Sequence, residues 1–423
     1  MGRRWYRQLY VWVLVGMVLG AVTGLVAPEL GTSLEVLGDV FVNLLTMLLG
    51  PIIFCMVVSG IAAVASLRRV GTVALRSIVY FEIVTTAALL LGLLAVNLVR
   101  PGAGMGAAVP TLTDEVAEKA VAAQDMDWTH YFTQLVPENI VGGFAEGAIL
   151  QVLVFAVLFG IALAVIGEPA RPIAEGIERL STVLFTIVRF VTWAAPVGVF
   201  GAMAYTTGTF GAVTLGALLK LIGTFYLTSA VFVVVVLGSA LFLVGVRPWR
   251  TLRYFRSEVL LALGASSSEV AVPGIVRKLE ALGVSKGTAG ITVSAGYSFN
   301  LDGTCLYLTL SSMFIAQALG IELSIGQQVV LLLVMLLSSK GTAGVTGGGF
   351  VMLTTTVSSL SFLPVSGVML VFGIDRFMSE CRAVVNALGN AVAGLVIARW
   401  QGEVTAAQVD AAMSTPEPAK VPV

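Results

Sequence analysis

The sequence has few charged side chains and few of the residues that most often serve in catalysis. Asp, Glu, Lys and Arg make up only 11% of its 423 residues, against roughly 25% in a typical soluble domain. It contains one histidine, His130, and three cysteines, Cys55, Cys305 and Cys381, in apolar segments. An odd number of such cysteines predicts no disulfide framework. The net charge of zero gives no basis for binding nucleic acid. An ordinary soluble domain, a disulfide-rich fold and a nucleic-acid-binding protein are therefore excluded.

Long apolar runs take the place of the missing charge. Hydrophobic residues account for 57% of the chain, and many runs reach the length of about 20 residues with which a helix crosses a bilayer. The first run lacks a small-residue cleavage site, so we expect it to remain as a helix. The sequence predicts an all-α polytopic membrane protein with eight spans, at about 9–27, 36–65, 78–99, 132–166, 176–205, 211–244, 287–319 and 364–399.

The few charges are distributed asymmetrically between the predicted spans. Arginines precede the first span and follow the second, fourth and sixth: Arg3, Arg4, Arg7, Arg68, Arg69, Arg76, Arg171, Arg179, Arg247, Arg250, Arg253 and Arg256. The opposite side carries an acid-rich loop at about 100–127. Because basic loops remain in the cytoplasm, we predict that both termini are cytoplasmic. The segment 401–423, rich in Ala, Pro and Val, is predicted to be a disordered tail.

Two strings of small or polar residues interrupt apolar stretches that do not fit the pattern of full spans. They are 264–269 (Gly-Ala-Ser-Ser-Ser-Glu) and 340–349 (Lys-Gly-Thr-Ala-Gly-Val-Thr-Gly-Gly-Gly). Non-helical backbone at membrane depth is tolerated where protein or a water-filled cavity satisfies its polar groups. We therefore predict two re-entrant helical hairpins, about 250–283 and 324–363, as inverted repeats whose tips meet inside the protein. The alternative is that the small residues only permit close helix packing.

The predicted last span carries a row of polar side chains, Asp375, Ser379, Arg382, Asn386 and Asn390. At about 100° per residue these positions fall within roughly 80° of arc on one helix face. An arginine inside a bilayer costs at least about 2.5 kcal/mol unless it is paired, so Arg382 requires an anion. A guanidinium matches a carboxylate through two parallel hydrogen bonds. The anion is either Asp375, in a purely structural pair, or the carboxylate of a bound molecule.

The predicted seventh span contains Asn300, Asp302 and Thr304 within about one helical turn. Gly303 permits local unwinding, which frees backbone carbonyl groups. Amide, carboxylate, hydroxyl and carbonyl oxygens are the ligands of hard cations. These residues therefore form a candidate cation site.

The predicted third span adds Thr85 and Thr86, whose hydroxyls are further candidate ligands. Glu82 lies one turn earlier, in a segment otherwise nearly free of charge. Because burial favours the neutral form of a carboxyl group, Glu82 is a candidate proton carrier. A hydrogen-bonded structural acid is the alternative.

Four strings in order, 264–269, 296–304, 338–347 and 373–390, resemble the motifs of the dicarboxylate/amino acid:cation symporter family, the glutamate transporter superfamily. The resemblance is greatest to its bacterial aerobic C4-dicarboxylate branch and covers nearly the whole chain. It implies the glutamate-transporter fold and a symporter that imports succinate, fumarate or malate with coupling cations. It also implies a homotrimer in the bacterial inner membrane, with no cofactor besides the coupling ion.

The resemblance further implies a division of each protomer. Residues 1–77 and 128–207 would form a static scaffold, and residues 78–99 and 208–400, which include both hairpins, a transport domain. That domain would slide across the membrane as an elevator, with the second hairpin as its external gate. The implied ligands of the substrate carboxylates are Ser267, Ser268, Thr304, Val345, Gly347, Arg382 and Asn386.

One departure from the family pattern concerns the substrate. Acidic amino-acid carriers have an aspartate at the position of Ser379, where it pairs with the substrate ammonium group. A buried ammonium without a partner is costly, so a dicarboxylate that lacks an amine fits this chain better.

Further departures concern the coupling ion. Asn390 stands at the position of a sodium-ligating aspartate in relatives. Glu82 stands where relatives have a sodium-site tyrosine, and Lys340 stands where a residue supplies a backbone carbonyl to another sodium ion. These changes weaken sodium sites and favour protons. The proton-carrying glutamate of animal relatives aligns with Leu308, so Glu82 or Asp302 would carry the proton.

Sodium coupling stays open as the alternative, for a dicarboxylate or an acidic amino acid. Its candidate ligands are all present: Asn300, Asp302, Asn386, Thr85 and Thr86. A hydrolase that uses Ser266 to Ser268 is a competing class, but its serine needs a base, and His130 is predicted to lie at the outer end of the fourth span. A passive channel is the third class, although it would not need a gate at each face.

Overall fold

The computed structural model describes residues 9–48, 50–52, 54–55, 57–59, 71–105, 139–145, 149–339 and 348–414. Within these ranges the chain is almost entirely helical, and they contain no β-strand. Residues 9–210 form α1 (Leu9–Val26), α2 (Pro28–Ser33), α3 (Glu35–Thr46), α4 (Thr72–Val99), α5 (Ile140–Ala145), α6 (Ile149–Ile166), α7 (Arg171–Val191) and α8 (Ala195–Phe210), with more helical residues between 50 and 59.

The second half begins with α9 (Val213–Val231), which continues through a π-helical segment (Phe232–Leu237) into α10 (Gly238–Leu243). The remaining helices are α11 (Pro248–Tyr254), α12 (Arg256–Ala265), α13 (Val272–Ala281), α14 (Lys286–Phe299), α15 (Asp302–Ala318), α16 (Ile325–Ser338), α17 (Gly348–Ser358), α18 (Met369–Phe372), α19 (Asp375–Gln401) and α20 (Ala406–Ser414).

Among the described residues, three helices are long and apolar enough to cross a membrane: Thr72–Val99, Val213–Leu243 and Asp375–Gln401. Shorter apolar helices include Ile325–Ser338 and Gly348–Ser358. The helical architecture is that of a helical membrane protein. The count of eight spans and the two re-entrant hairpins stay predictions.

The serine-rich string lies between α12 and α13. Ser266 ends α12 in the left-handed conformation, with φ 51° and ψ 34°, and the Ser267 N–H donates to Ala262 O at 3.2 Å. This hydrogen bond closes a Schellman-type helix end, in which glycine is the usual residue. A short 3₁₀ turn (Glu269–Ala271) then leads into α13, which has Pro273 in its first turn. The break in the apolar run is therefore a defined turn between two helices.

The break predicted in the seventh span is confirmed, but it lies before Gly303. α14 ends at Phe299, Asn300 and Leu301 have non-helical backbone angles, and α15 begins at Asp302. Every side chain from 302 to 316 is buried, because α15 lies among α4, α9, α17 and α19. α15 is thus the central helix of this half of the chain.

The N-terminal helices pack through glycines. Gly16 and Gly20 of α1 are four residues apart and face α8. A Cβ atom at Gly16 would lie 2.4 Å from Pro196 O, and one at Gly20 would lie 2.3 Å from Phe200 O. Small residues at this spacing let two membrane helices approach closely. The contact fixes α1 against α8.

The segment after α19 differs from the predicted disordered tail. Val409 of α20 is fully buried, and Asp410 binds Arg247 and Arg250 at 3.3 and 3.6 Å. Glu403 accepts a hydrogen bond from the N–H of Ser285, 118 residues earlier. The prediction was wrong for residues 401–414 because composition does not reveal such distant partners. Residues 415–423 lie outside the described ranges.

Candidate functional site

Arg382 lies on the buried face of α19, with 4% of its surface exposed. Its Nη1 donates to Asp375 Oδ1 at 3.2 Å, and its Nη2 donates to Ser379 Oγ at 3.1 Å. The guanidinium carbon lies 4.5 Å from the centroid of the Tyr307 ring, which adds a cation–π contact. The spacing along one helix brings both acceptors to the same guanidinium. Of the two anions considered from the sequence, Asp375 pairs with Arg382 in this structure.

Two glycines allow other backbones to lie directly against Arg382. A Cβ atom at Gly349, near the start of α17, would lie 2.2 Å from the Nη1 atom of Arg382. A Cβ atom at Gly303 would lie 2.6 Å from the carbonyl oxygen of Arg382. Gly303 therefore serves close packing of α15 on α19 rather than unwinding. The predicted ligands Val345 and Gly347, together with Lys340, lie outside the described residues, just before α17.

Thr304 and Asn386 are brought together beside Arg382. Asn386 Nδ2 donates to Thr304 Oγ1 at 3.3 Å, and the N–H of Gly303 donates to Asn386 Oδ1 at 2.9 Å. All three residues are buried. The hydrogen bonds orient the amide of Asn386 and place the Thr304 hydroxyl at the junction of α15 and α19.

The predicted cation ligands meet where α14 breaks. Asn300 Nδ2 donates to Asp302 Oδ2 at 3.2 Å, and Gly389 leaves room for this pair, since a Cβ atom there would lie 2.4 Å from Asp302 Oδ2. Asn390 Oδ1 lies against Gly296, 2.2 Å from the position of a Cβ atom. The Oδ1 atoms of Asn300 and Asn390 are buried and have no hydrogen-bond partner in the described part of the chain. Buried acceptors without a donor are suited to a cation.

The predicted residues of α4 are not all on the same side. Thr85 is fully buried, and within the described residues its hydroxyl has no hydrogen-bond partner. Thr86 is exposed and donates to the carbonyl oxygen of Glu82 at 2.7 Å. Glu82 itself is partly buried. The structure thus places Thr85, but not Thr86, towards the interior.

The serines of the tip are buried, with Ser267 8% and Ser268 2% exposed. The hydroxyl of Ser268 has no hydrogen-bond partner among the described residues. α12, which leads to this tip, packs against α19. The tip therefore belongs to the same packed unit as Arg382.

Sequence reasoning missed Tyr307 and Gly349. Tyr307 follows Thr304 by three residues and therefore shares its face of α15, which is a usable signal. Gly349 belongs to the run of three glycines at 347–349, but a glycine run alone does not indicate what approaches it.

Comparison with known proteins identifies a matching family and several similar proteins that share one name. The sequence profile of the sodium:dicarboxylate symporter family matches residues 9–400. A C4-dicarboxylate transport protein of Rhizobium johnstonii is 48% identical over 409 residues, which cover 96% of this chain and 92% of the relative. Proteins of the same name are 48% identical in Anaeromyxobacter sp. (strain K), over 99% of this chain and 96% of theirs, and 44% identical in Laribacter hongkongensis, over 98% and 95%.

Proposed function

Because this chain belongs to the sodium:dicarboxylate symporter family, we propose that it imports C4-dicarboxylates such as succinate, fumarate and malate together with coupling cations. It is a transporter and not an enzyme. The observation that carries the proposal is the buried guanidinium of Arg382, which is held at the junction of α15, α17 and α19. A buried guanidinium is suited to a carboxylate.

The surroundings of Arg382 support a substrate without an amine. Ser379 presents a neutral hydroxyl to Nη2, and Asp375 is already engaged by Nη1. Among the described residues, Asp375 is the one carboxylate that pairs with Arg382, and this pairing leaves it unavailable to a substrate ammonium. Ser267, Ser268, Thr304, Val345, Gly347 and Asn386 are the further proposed ligands, and one substrate carboxylate would bind the guanidinium.

We propose protons as the coupling ion. Asp302 is a fully buried carboxyl group, so it is the first candidate for the carrier. Glu82, which is partly buried, is the second candidate. Sodium is the alternative ion, favoured by the unbonded Oδ1 atoms of Asn300 and Asn390. A single carboxylate among amides and hydroxyls suits a monovalent cation, since the number of charged ligands sets affinity for divalent ions.

Transport by an elevator motion in a homotrimer of the bacterial inner membrane, with both termini cytoplasmic, completes the proposal. The packing of the described helices supports the proposed division: α1, α2, α3 and α8 pack together, as do α4, α9, α14, α15 and α19. Phe372 of the proposed transport domain stacks on Phe41 of the proposed scaffold and lies close to Phe350 of its own domain, with both centroid distances 4.6 Å. This would be one contact that changes as the transport domain moves.

Uptake of labelled succinate into proteoliposomes tests the proposal. We expect accumulation under an imposed pH gradient, little response to sodium alone, and counterflow when unlabelled succinate is inside. Accumulation driven only by a sodium gradient would replace protons by sodium, and flux without counterflow would indicate a channel. Faster uptake of aspartate than of succinate would contradict the proposed substrate.

The variant Glu82→Gln tests the second proton carrier. We expect that it lowers pH-driven uptake at least about fivefold, because an amide cannot take up the proton, while succinate exchange is retained. Asp302→Asn is the companion variant. If pH-driven uptake is unchanged in Glu82→Gln and lost in Asp302→Asn, the carrier is Asp302.

A further inference from the structure

A buried ion pair joins the two arms of the first predicted hairpin, α12 and α13, and has no part in the proposed site. Lys278 Nζ lies 2.7 Å from Glu258 Oε2, with the side chains 8% and 12% exposed. The same Nζ donates to Tyr254 O and to Ser257 Oγ, each at 2.7 Å. An ammonium group has three hydrogens to donate. One side chain of α13 is thus held by three acceptors within residues 254–258.

The surroundings fix this arrangement further. Ser257 Oγ donates to Glu258 Oε2 at 2.9 Å, and Lys278 Nζ lies 5.1 Å from the centroid of the Tyr254 ring. Gly274 makes room for the carboxylate, since a Cβ atom there would lie 2.9 Å from Glu258 Cγ. The two arms can approach this closely only because residue 274 has no side chain.

A buried ion pair of this kind fixes the relative position of α12 and α13 more than it stabilises the folded protein. Desolvation of two buried charges offsets their attraction, and an apolar replacement of both is often neutral or stabilising. The three acceptors, Tyr254 O at the end of α11 and the side chains of Ser257 and Glu258 in α12, match Lys278 in the observed register of α13 along α12. Glu258 precedes Ser266 by eight residues, about 12 Å along a helix. A change of register at the pair would therefore move the serine tip.

We propose that Lys278 and Glu258 are positioning residues for substrate binding. They lock the arms of the first hairpin in one register, which holds Ser267 and Ser268 at the site and keeps the tip closed on its own side of the membrane. The inference rests on the proposed function in one respect, namely that these serines bind the dicarboxylate.

Succinate uptake by Lys278→Met is the first measurement. We expect KM to rise about tenfold and kcat to change less than about threefold, because a tip that is no longer preorganised weakens binding. Arg277→Met is the matched control, since Arg277 is the neighbouring cation of α13 and is exposed. Its KM should equal that of the native chain. An unchanged KM in Lys278→Met, or an equal rise in both variants, overturns the proposal.

The double variant Glu258→Met/Lys278→Met separates positioning from folding. Replacing both charges by apolar side chains should restore the melting temperature and the yield of purified protein, while KM stays raised. This variant also provides the measurement if Lys278→Met alone does not reach the membrane. Restoration of KM together with stability would show that the pair is only structural.

A labelling experiment tests closure without relying on transport. Ser268→Cys is introduced into a chain in which Cys55, Cys305 and Cys381 are replaced, and a membrane-impermeant maleimide is added to inside-out vesicles without substrate. We expect slow labelling with the pair intact and labelling about tenfold faster with Lys278→Met. Equal labelling rates with the pair intact and with Lys278→Met would contradict the inference even if succinate uptake proceeds as proposed. Faster labelling, combined with absence of succinate transport by the chain that retains Ser268, would retain the closure and contradict the proposed function.

Discussion

Two membrane-length helices of this chain, Val213–Leu243 and Asp375–Gln401, are buried to very different extents. In its most apolar stretch, 33% of the first helix is buried, against 94% of the second, although the second carries Asp375, Arg382 and Asn386. In a soluble protein the more polar helix would face the solvent. In hydrocarbon, polar groups need protein partners. Polarity therefore marks the interior here, and substitutions on the two helices should have opposite consequences.

The largest effect is expected at the buried cation of the second helix. Arg382→Lys should lower succinate uptake about 100-fold, because an ammonium cannot reproduce the planar fork that engages both Asp375 and a carboxylate. The matched control is Arg376→Lys on the same helix, where Arg376 and Glu380 form a partly exposed pair at 3.8 Å. Initial rates in proteoliposomes measure both. Equal rates in Arg382→Lys and the native chain would remove Arg382 from the site.

A pair of glycine variants compares the helices directly. Gly389→Ala should lower the apparent affinity for the coupling ion about tenfold, because the new methyl group would displace the Asp302 carboxylate. Gly223→Ala on the exposed helix meets no atom within 4 Å. It should leave uptake unchanged and stabilise the helix by up to about 1 kcal/mol. Uptake against pH or sodium concentration, together with thermal unfolding, distinguishes them.

The smallest effect is a change of selectivity. Ser379→Asp should weaken succinate uptake about fivefold through repulsion between carboxylates and allow aspartate to compete, since a new anion can pair with its ammonium. Ser379→Asn is the control, similar in size but neutral, and should gain no aspartate binding. Our account of selectivity fails if Ser379→Asp transports succinate normally and binds no aspartate.

The sequence predicted the polar row of α19 and the break at Asn300 because charge and amide groups within apolar runs are rare and require partners. It predicted the interruption at 264–269 for the same reason. The structure places Asp375, Ser379 and Arg382 in contact, as their spacing indicated. The ligand roles of these residues stay predictions that the variants above address.

Other features could not be predicted because their partners are distant in sequence or chemically unremarkable. In the sequence alone, Tyr307 resembles an ordinary aromatic residue of the core. The structure shows that the guanidinium of Arg382 lies over its ring. Lys278 and Glu258 resemble solvated charges near a basic loop. The helix Ala406–Ser414 is held in place by ion pairs of Asp410 with Arg247 and Arg250. The composition of the segment does not reveal these distant partners. Thr86 was placed in the cation site with Thr85, but adjacent residues of a helix point about 100° apart.

The order of synthesis determines when the contacts of Trp400 and Glu403 can form. Glu403 caps the start of α14 through Ser285, and Arg76, near the start of α4, donates to the carbonyl oxygen of Trp400. Ribosomes synthesise the chain from its N-terminus, so both helices are made long before these partners exist. The start of each helix is completed only when residues 400–403, at and just after the end of α19, have been made. Trp400 and Glu403 therefore complete the packing around the starts of α4 and α14 late in synthesis.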